Sequence, residues 1–235
     1  MRNRLDERPT REVHAGSAYA LSFVARDDVA ERDVLDVGCG FGWFELAALD
    51  LDCRSIVGVE PTRTDLATAE RHVDDERASF CVADARALPF DDGSFDTVVM
   101  WEVIEHLPRG TEPAALTEIA RVLRPGGVLY LSTPFASTVS TVLDPAWWLI
   151  GHRHYRVEIL AALLRDAGLA LEQHEVRGGL WTLLYINNLY VAKWIFRRRP
   201  FFECRLLRLV DREWRRDRGL ANIFVRGRKP LQAWS

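Results

Sequence analysis

Short apolar segments alternate with longer segments of helical periodicity through the first half of the chain. Most positions in the apolar segments are hydrophobic, as in strands that are buried on both faces of a sheet. This alternation predicts βαβ units and therefore an α/β fold around a mainly parallel sheet. The predicted strands are Asp33–Val37, Ser55–Glu60, Ala78–Ala83, Phe95–Trp101 and Val128–Thr133. The predicted helices are Val13–Ala25, Trp43–Leu49, Arg63–Val73, Glu102–Leu107 and Pro113–Leu123.

The second half of the chain departs from this regular alternation. The RPGG segment at Arg124–Gly127 predicts a turn, and Pro134–Arg153 predicts a loop. A helix is predicted over Val157–Ala167, and strands are predicted over Ala170–Val176 and Asn222–Arg228.

About forty residues separate the last two predicted strands, which is far more than a hairpin loop contains. We therefore predict an inserted helical pair, with helices near Leu180–Phe196 and Phe201–Arg216. The predicted organisation is a single domain over residues 1–235. Its core covers residues 13–177 and 220–229, and the insertion covers residues 178–219.

The composition is that of a globular protein, because 48% of the residues are hydrophobic and 28% are charged. No apolar run is long enough to cross a bilayer, and the first residues lack the apolar core of a secretory signal. The scattered cysteines form no CxxC pair, so we expect reduced side chains and no metal site. We therefore expect a cytoplasmic protein. The cysteines are Cys39, Cys53, Cys81 and Cys204.

The strongest chemical signal is a glycine-rich loop between the first strand and the helix after it. In VLDVGCGFGWFEL, Gly38, Gly40 and Gly42 permit positive φ angles and a close approach of a ligand to the backbone. The loop also presents amide donors at a helix N-terminus, where an anionic group binds well. Glu60 ends the second strand, where a carboxylate can accept from both hydroxyls of a ribose. The GxGxG spacing fits an adenosine-type cofactor better than a dinucleotide, which favours GxGxxG.

Four motifs, in this order and at these spacings, resemble the class I S-adenosylmethionine-dependent methyltransferases. They are DVGCGFG, GVEPTRTDLATAE, ADARALPFDDGSFDTVVMWEVIEHL and RVLRPGGVLYLSTP, and they span about Val34–Pro134, with a looser match over His154–Leu169. The subgroup most similar includes the ubiquinone and menaquinone biosynthesis enzymes. The resemblance implies a three-layer Rossmann-like fold whose seven-stranded, mostly parallel sheet has an antiparallel last strand. It also implies an enzyme that uses S-adenosyl-L-methionine as its methyl donor.

The resemblance further implies which residues bind the cofactor. The loop glycines would cradle its methionine moiety, with Asp36 supporting the loop and the Trp101 carbonyl near the methionine amine. Glu60 would hold the ribose, and Asp84 would accept from the adenine amino group. The alternatives are that Asp36 only braces a turn and that Asp84 only forms an Asx turn. The full set is Asp36, Gly38, Cys39, Gly40, Gly42, Glu60, Pro61, Asp84, Ala85 and Trp101.

Candidate catalytic residues follow from the nature of methyl transfer, which needs alignment of the reactants and in some enzymes a base. Glu102 and His106 follow the fourth strand, at the edge of the sheet where ligands bind. His154 precedes the helix at Val157, and imidazole is suited to proton transfer near neutral pH. The alternatives are a structural role for His106 and a hydrogen bond at the beginning of the helix for His154. His152 and His154 lack a third ligand at a spacing that suits a metal.

The predicted insertion carries an excess of basic charge. Residues 193–235 contain 13 basic and 4 acidic residues, a net charge of +9, whereas residues 1–192 contain 18 and 30, a net charge of −12. The apolar segment LWTLLYINNLYVAKWIF precedes Arg197–Arg199 and an arginine-rich helix with aromatic residues. This pattern, over residues 180–218, is typical of an interfacial helix at an anionic membrane surface. The alternatives are a lid, a homodimer contact, and neutralisation of the two halves within the fold.

Three functions follow from these observations. The leading hypothesis is methyl transfer to a small-molecule or lipid-linked acceptor, such as an isoprenoid quinone precursor or a related hydroxyl compound, in the cytoplasm or peripherally at the membrane. The second is methylation of tRNA or other RNA, in which the basic segment would follow the phosphates; no separate nucleic-acid-binding module is visible. The third is a non-catalytic, cofactor-binding subunit that serves a partner.

Overall fold

The computed structural model describes residues 8–231, so residues 1–7 and 232–235 of the predicted domain lie outside the described part. The described residues form a seven-stranded sheet with the strand order β3-β2-β1-β4-β5-β7-β6. β7 runs antiparallel to both of its neighbours, β5 and β6, and the other neighbouring strands are parallel. The predicted fold class is therefore confirmed. The strands are β1 (Asp33–Val37), β2 (Ser55–Glu60), β3 (Ala78–Val82), β4 (Phe95–Trp101), β5 (Leu123–Pro134), β6 (Ala170–Arg177) and β7 (Asn222–Arg228).

Helices cover both faces of the sheet and give the molecule three layers. Side chains of α1, α2 and α9 pack with the residues on one face, and side chains of α4 and α7 pack with those on the other. The helices are α1 (Ala15–Phe23), α2 (Trp43–Asp50), α3 (Arg63–His72), α4 (Glu112–Val122), α5 (Thr138–Leu143), α6 (Pro145–Ile150), α7 (Val157–Asp166), α8 (Leu180–Tyr190) and α9 (Glu203–Trp214).

Two predicted elements differ from the structure, one directly after β4 and one at the beginning of β5. The helix predicted over Glu102–Leu107 is wrong, because only a single 3-10 turn, Ile104–His106, forms there. Glu102 has a φ of 54°, a left-handed conformation that a helix interior does not contain, and Pro108 follows closely. The RPGG segment is not only a turn. It extends β5, because Gly126 N–H donates to the Lys229 carbonyl at 2.8 Å and Lys229 N–H donates to the Gly127 carbonyl at 2.9 Å.

The loop predicted over Pro134–Arg153 contains two short helices, so this prediction is also wrong. The Ser137 side chain accepts from the backbone N–H of Ser140 and caps α5. Asp144 accepts from the N–H of Ala146 at 2.9 Å and caps α6, whose first residue is Pro145. A serine or aspartate before a helix, with proline at the first helical position, is a recognised helix start.

Helices α8 and α9 separate β6 from β7, and α8 continues into a wider, π-type turn over Val191–Ile195. The buried carboxylate of Glu213 in α9 caps the beginning of α8. It accepts from the N–H groups of Gly179 at 2.8 Å and Thr182 at 2.9 Å, and from the Thr182 hydroxyl at 2.8 Å. The two helices are thus joined by a charged cap as well as by apolar packing.

Candidate active site

A cavity of about 820 Å³ opens at the carboxyl ends of the parallel strands. This is the edge at which open α/β sheets bind ligands, and the volume lies in the ~300–1,000 Å³ range of small-ligand pockets. One part of its wall comes from the loops after β1, β2 and β3, which contribute Gly38, Gly40, Glu60, Asp84 and other residues. The facing part comes from the segment after β4, from His152, from Leu189 and Tyr190 at the end of α8, and from Lys193 in the π-type turn that follows. The cavity is therefore shared between the sheet and the insertion.

The loop after β1 takes a shape that only glycine adopts easily. Gly38, Gly40 and Gly42 have φ angles of 83°, 56° and 88°. A Cβ atom on Gly38 would lie 2.3 Å from the Val103 side chain, whereas a Cβ on Gly40 would meet no atom within 4 Å. Gly38 is therefore required by packing, and Gly40 leaves its backbone open to a ligand in the cavity.

Glu60 reaches the same loop from the end of β2. Its Oε1 accepts from the Gly40 N–H at 2.7 Å, and the residue lines the cavity beside Pro61. This bond fixes the carboxylate at the junction of two loops, where ribose hydroxyls would meet it.

Two further carboxyl groups lie beneath the loop and away from the cavity surface. Asp36 and Glu45 are 1% and 0% exposed, and Asp36 Oδ1 and both Glu45 oxygens have no hydrogen-bond partner in the described part of the chain. Burial raises the pKa of Asp36 well above its usual range, and the nearby Glu45 adds to this rise. Burial also raises the pKa of Glu45 to about 8. Burial therefore favours the neutral, protonated form of both carboxyl groups beneath the cradle.

Asp84 and Ala85 follow β3 and line the part of the cavity beside Glu60. Asp84 Oδ1 accepts from the N–H and the guanidinium Nε of Arg86 at 2.9 and 2.8 Å. These bonds lower the pKa of Asp84 to about 2, so the carboxylate is ionised at neutral pH. The structure thus shows the Asx-turn geometry, and the carboxylate still borders the cavity.

Trp101 lines the cavity at the end of β4, whereas Asp36, Cys39 and Gly42 do not line it. Cys39 is buried beneath the loop, and burial raises the pKa of its thiol. A Cβ on Gly42 would lie 2.8 Å from Val73. These three residues can therefore act on a cofactor only by shaping the loop. The cofactor-binding roles themselves remain predictions.

A histidine pair lies on the facing wall. His152 Nε2 lies 3.2 Å from the ring nitrogens of His106, and the two rings meet edge to face with centroids 4.3 Å apart. Burial, reinforced by His152 and Arg153, lowers the pKa of His106 to about 4. Burial also lowers the pKa of His152, and the nearby Asp144 opposes this shift. Both imidazoles are therefore neutral at neutral pH and able to accept a proton.

Arg153 holds the histidine pair together. Its guanidinium donates to the carbonyls of Ile104 and Leu107 at 2.7 and 2.5 Å and pairs with Glu112. The turn that carries His106 is thereby tied to the segment that carries His152.

His154 and Glu102 occupy other places. The side chain of His154 is 2% exposed and does not line the cavity; its Nε2 lies 2.8 Å from Asp144 Oδ2, and its Nδ1 lies 3.2 Å from the Thr141 hydroxyl. The structure thus places His154 in a buried network of hydrogen bonds and not on the cavity wall, and its catalytic role stays a prediction. Glu102 lines the cavity, but its oxygens accept from Ser132 at 2.6 Å and Asn222 at 2.8 Å, and burial raises its pKa.

No sequence motif assigns a role at the site to Arg153, Leu189, Tyr190 or Lys193, and the sequence presents His152 only as a possible metal ligand. The sequence shows both His152 and His154, but only the structure shows that His152 lines the cavity and that His154 bonds to Asp144 away from it. Within the described residues, no three His, Cys, Asp or Glu side chains come together as a metal site.

Comparison with known proteins gives three findings. A family model described as a methyltransferase domain matches residues 34–127. The ubiquinone biosynthesis O-methyltransferase of Xanthomonas oryzae pv. oryzae is 34% identical over 191 residues, which cover 74% of this chain and 77% of that protein. An S-adenosylmethionine-dependent methyltransferase from Mesorhizobium loti has a similar fold, with a TM-score of 0.62 and 18% identity, over 90% of this chain and 96% of that one.

Proposed function

Because the chain belongs to the S-adenosylmethionine-dependent methyltransferases, we propose that it methylates a hydroxyl group on an apolar small-molecule or lipid-linked acceptor. The chain is an enzyme of this family, and its cofactor is S-adenosyl-L-methionine. When bound, this cofactor supplies a methyl group that is already activated as part of a sulfonium. The residues of this chain then need to align the acceptor, exclude water and accept a proton.

The division of the cavity between two walls carries this proposal. The strand loops supply the glycine cradle, Glu60 and Asp84, which fit the methionine, ribose and adenine parts of the cofactor. The facing wall is largely apolar, with Val103, Leu107 and Leu189 beside the histidine pair. Such a wall favours an apolar acceptor that presents one polar group.

We assign the proton transfer to His152. Its Nε2 faces His106 at the cavity wall, and its Nδ1 lies 3.9 Å from Asp144 Oδ2, where a carboxylate stabilises the imidazolium that forms. A base of this kind matches a hydroxyl acceptor, since a hydroxyl must lose its proton during methyl transfer. The relatives from Xanthomonas are named as O-methyltransferases, which supports the same choice.

The test is methyl transfer from labelled S-adenosylmethionine to a panel of acceptors. The panel contains phenols with and without an isoprenoid tail, matched amines, and total tRNA. We expect labelled product from the phenols, and more from those with a tail. Transfer to tRNA or to the amines alone would contradict the proposal.

Two variants of the same helix locate the acceptor. Leu189→Asp places a charge on the cavity wall, so it should reduce turnover by roughly tenfold or more while the affinity for the cofactor stays unchanged. Leu184→Asp, on the exposed side of α8, is the matched control and should leave turnover of a water-soluble acceptor unchanged.

His152→Gln tests the assigned base. It should lower kcat with little change in KM and should shift the pH profile of kcat. Equal activity of His152→Gln and the wild type would remove the assigned base.

A further inference from the structure

Exposed apolar side chains are concentrated in one region of the surface. Among the described residues, fifteen large apolar side chains are exposed, and all except Val82, Ile159 and Leu231 lie within residues 139–148 or 180–202. Isolated exposed apolar residues are normal on a protein surface, but a concentrated group marks a contact with an apolar phase or a partner.

Helix α8 and the π-type turn after it have two different apolar sides. Leu189 and Tyr190 turn toward the cavity, whereas Leu184, Val191 and Ile195 are 50%, 41% and 70% exposed. Positions 184, 191 and 195 follow helical spacing, and they lie on the opposite side from positions 189 and 190. The helix is therefore apolar toward solvent as well as toward the site.

Neighbouring elements extend this exposed side. The Asn187 side chain donates to the Leu143 carbonyl of α5 at 2.7 Å, which holds α8 against the α5–α6 segment. In that segment Val142 and Trp148 are 58% and 69% exposed. We refer to Val142, Trp148, Leu184, Val191, Ile195 and Phe202 together as the apolar face.

Phe202 belongs to the apolar face because Asn188 holds the chain next to α8. Asn188 donates to the Phe201 carbonyl at 2.6 Å and accepts from the Phe201 N–H at 3.1 Å. Phe202 has a φ of 53°, a conformation that is uncommon for a bulky residue, and its side chain is 76% exposed.

Basic side chains border the apolar face. Residues 191–208 contain six basic residues and one acidic residue, and Arg197, Arg198 and Arg199 are exposed. The Arg198 guanidinium lies 4.5 Å from the centre of the Phe201 ring. Aromatic and aliphatic side chains next to arginines complement a surface with an apolar interior and anionic head groups.

We propose that the apolar face and the arginines beside it dock this protein on an anionic lipid bilayer. The side chains of the face enter the interface, while Arg197–Arg199 pair with lipid head groups. None of the described helices combines the length and apolar character that would span a bilayer. The cavity lies on the inner side of α8, so docking brings its wall close to lipid. Delivery of an acceptor from the bilayer rests on the proposed function, whereas docking itself does not.

The experiment is co-sedimentation of the full chain with vesicles, with no acceptor present. Vesicles that contain phosphatidylglycerol should bind the protein, with weaker binding at high salt, and pure phosphatidylcholine vesicles should bind it much less. The variant W148S/I195S should weaken binding roughly tenfold or more. The triple variant R197Q/R198Q/R199Q should weaken it by about fivefold for each arginine removed.

Matched variants control for general effects of surface change. V82S/I159S removes two exposed apolar side chains that do not belong to the apolar face, and R71Q/R109Q/R165Q removes three exposed arginines that do not border it in sequence. Both should bind vesicles like the wild type. The proposal is overturned if anionic vesicles do not bind the protein, or if the variants of the face bind like the controls. A stable dimer in light scattering that W148S/I195S dissociates would instead assign the face to a second copy of the chain. Because vesicle binding is measured without an acceptor, it tests docking even if no compound of the acceptor panel is methylated.

Discussion

Glu45 is a residue whose chemistry is set by burial. Its carboxyl group is 0% exposed, and it fits beside Gly58 of β2, where an added Cβ would lie 2.5 Å from Glu45 Oε1. Since a pKa of about 8 lies far above the usual value of 4.5, the folded protein keeps a proton that the unfolded chain has released. This uptake of a proton on folding links the free energy of unfolding to pH.

The raised pKa of Glu45 fixes the direction in which the free energy of unfolding changes with pH. Between pH 4.5 and about 8 the folded state binds more protons than the unfolded state, so the Glu45 contribution makes stability fall as pH rises. The variant Glu45→Gln removes this contribution. We expect its free energy of unfolding to fall less steeply than that of the wild type, by up to about 1.4 kcal/mol per pH unit. Urea unfolding from pH 5 to 9 measures this difference.

The exposed Glu76 provides the control for that comparison. Glu76→Gln should keep the steep wild-type dependence. If Glu45→Gln and Glu76→Gln have the same pH dependence, Glu45 does not hold the proton. Asp36 would remain as a second source of the slope, because burial raises its pKa as well.

At the scale of elements, the charged cap between α9 and α8 sets the stability of the insertion. Replacing Glu213 with alanine removes the acceptor of the Trp181 and Thr182 N–H groups and leaves the Gly179 N–H only a longer bond, 3.3 Å, to the Thr182 hydroxyl. We expect Glu213→Ala to lower the free energy of unfolding by about 3 kcal/mol, and Glu213→Gln to lower it less because one acceptor oxygen remains. Hydrogen exchange should become faster over Leu180–Tyr190.

The control for this prediction is Asp217→Ala, since the Asp217 side chain is fully exposed close to the end of the same helix. It should change neither stability nor exchange in α8. Unaltered protection of α8 in Glu213→Ala would show that apolar packing alone holds the helical pair.

The strands were more predictable from sequence than the segments between them. The apolar runs give β1, β2, β4 and β7 their bounds, because a strand buried on both faces needs hydrophobic residues at most positions. Helices α5 and α6 were missed because each has only six residues, too few for a helical period to appear. Their start signals, Ser137 and Asp144-Pro145, were present in the sequence and outweighed by the surrounding turn-forming residues.

The candidate site was likewise predictable from sequence only where its residues belong to the ends of strands. The glycine loop, Glu60 and Asp84 stand at the ends of strands, so their meeting follows from the order of strands in the sheet. The histidine pair could not be predicted in this way. Its geometry depends on Asp144, which caps a missed helix, and on the hydrogen bonds of Arg153 to the turn after β4.

At the scale of the whole molecule, the chain enters and leaves the insertion at neighbouring residues of β6 and β7. Arg177 and Asn222 are directly paired neighbours in β6 and β7, so residues 178–221 can be replaced by a two-residue Asn-Gly turn. We expect the shortened protein to fold and to keep its affinity for S-adenosylmethionine within a few-fold. Its Tm should fall, because Trp214 packs against Phe224 with ring centroids 5.8 Å apart. Methyl transfer to the acceptor should be lost.

Calorimetric titration with the cofactor and circular dichroism test this prediction together. A native spectrum without cofactor binding would show that the insertion helps to build the cofactor site. The full-length chain is the reference. Both proteins are measured at one temperature below the lower Tm of the shortened protein, so that both are folded.

The position of β7 has a consequence for how the molecule is made. β7 lies between β5 and β6, so β6 has no neighbour in the sheet until residues 222–228 have been synthesised. During that interval β6, one edge of β5 and the exposed apolar residues of the insertion are all available for wrong pairing. The sheet is therefore completed late, when β7 pairs with the exposed edges of β5 and β6. The rate at which β7 arrives, relative to aggregation, sets how much of the newly made protein reaches the folded state.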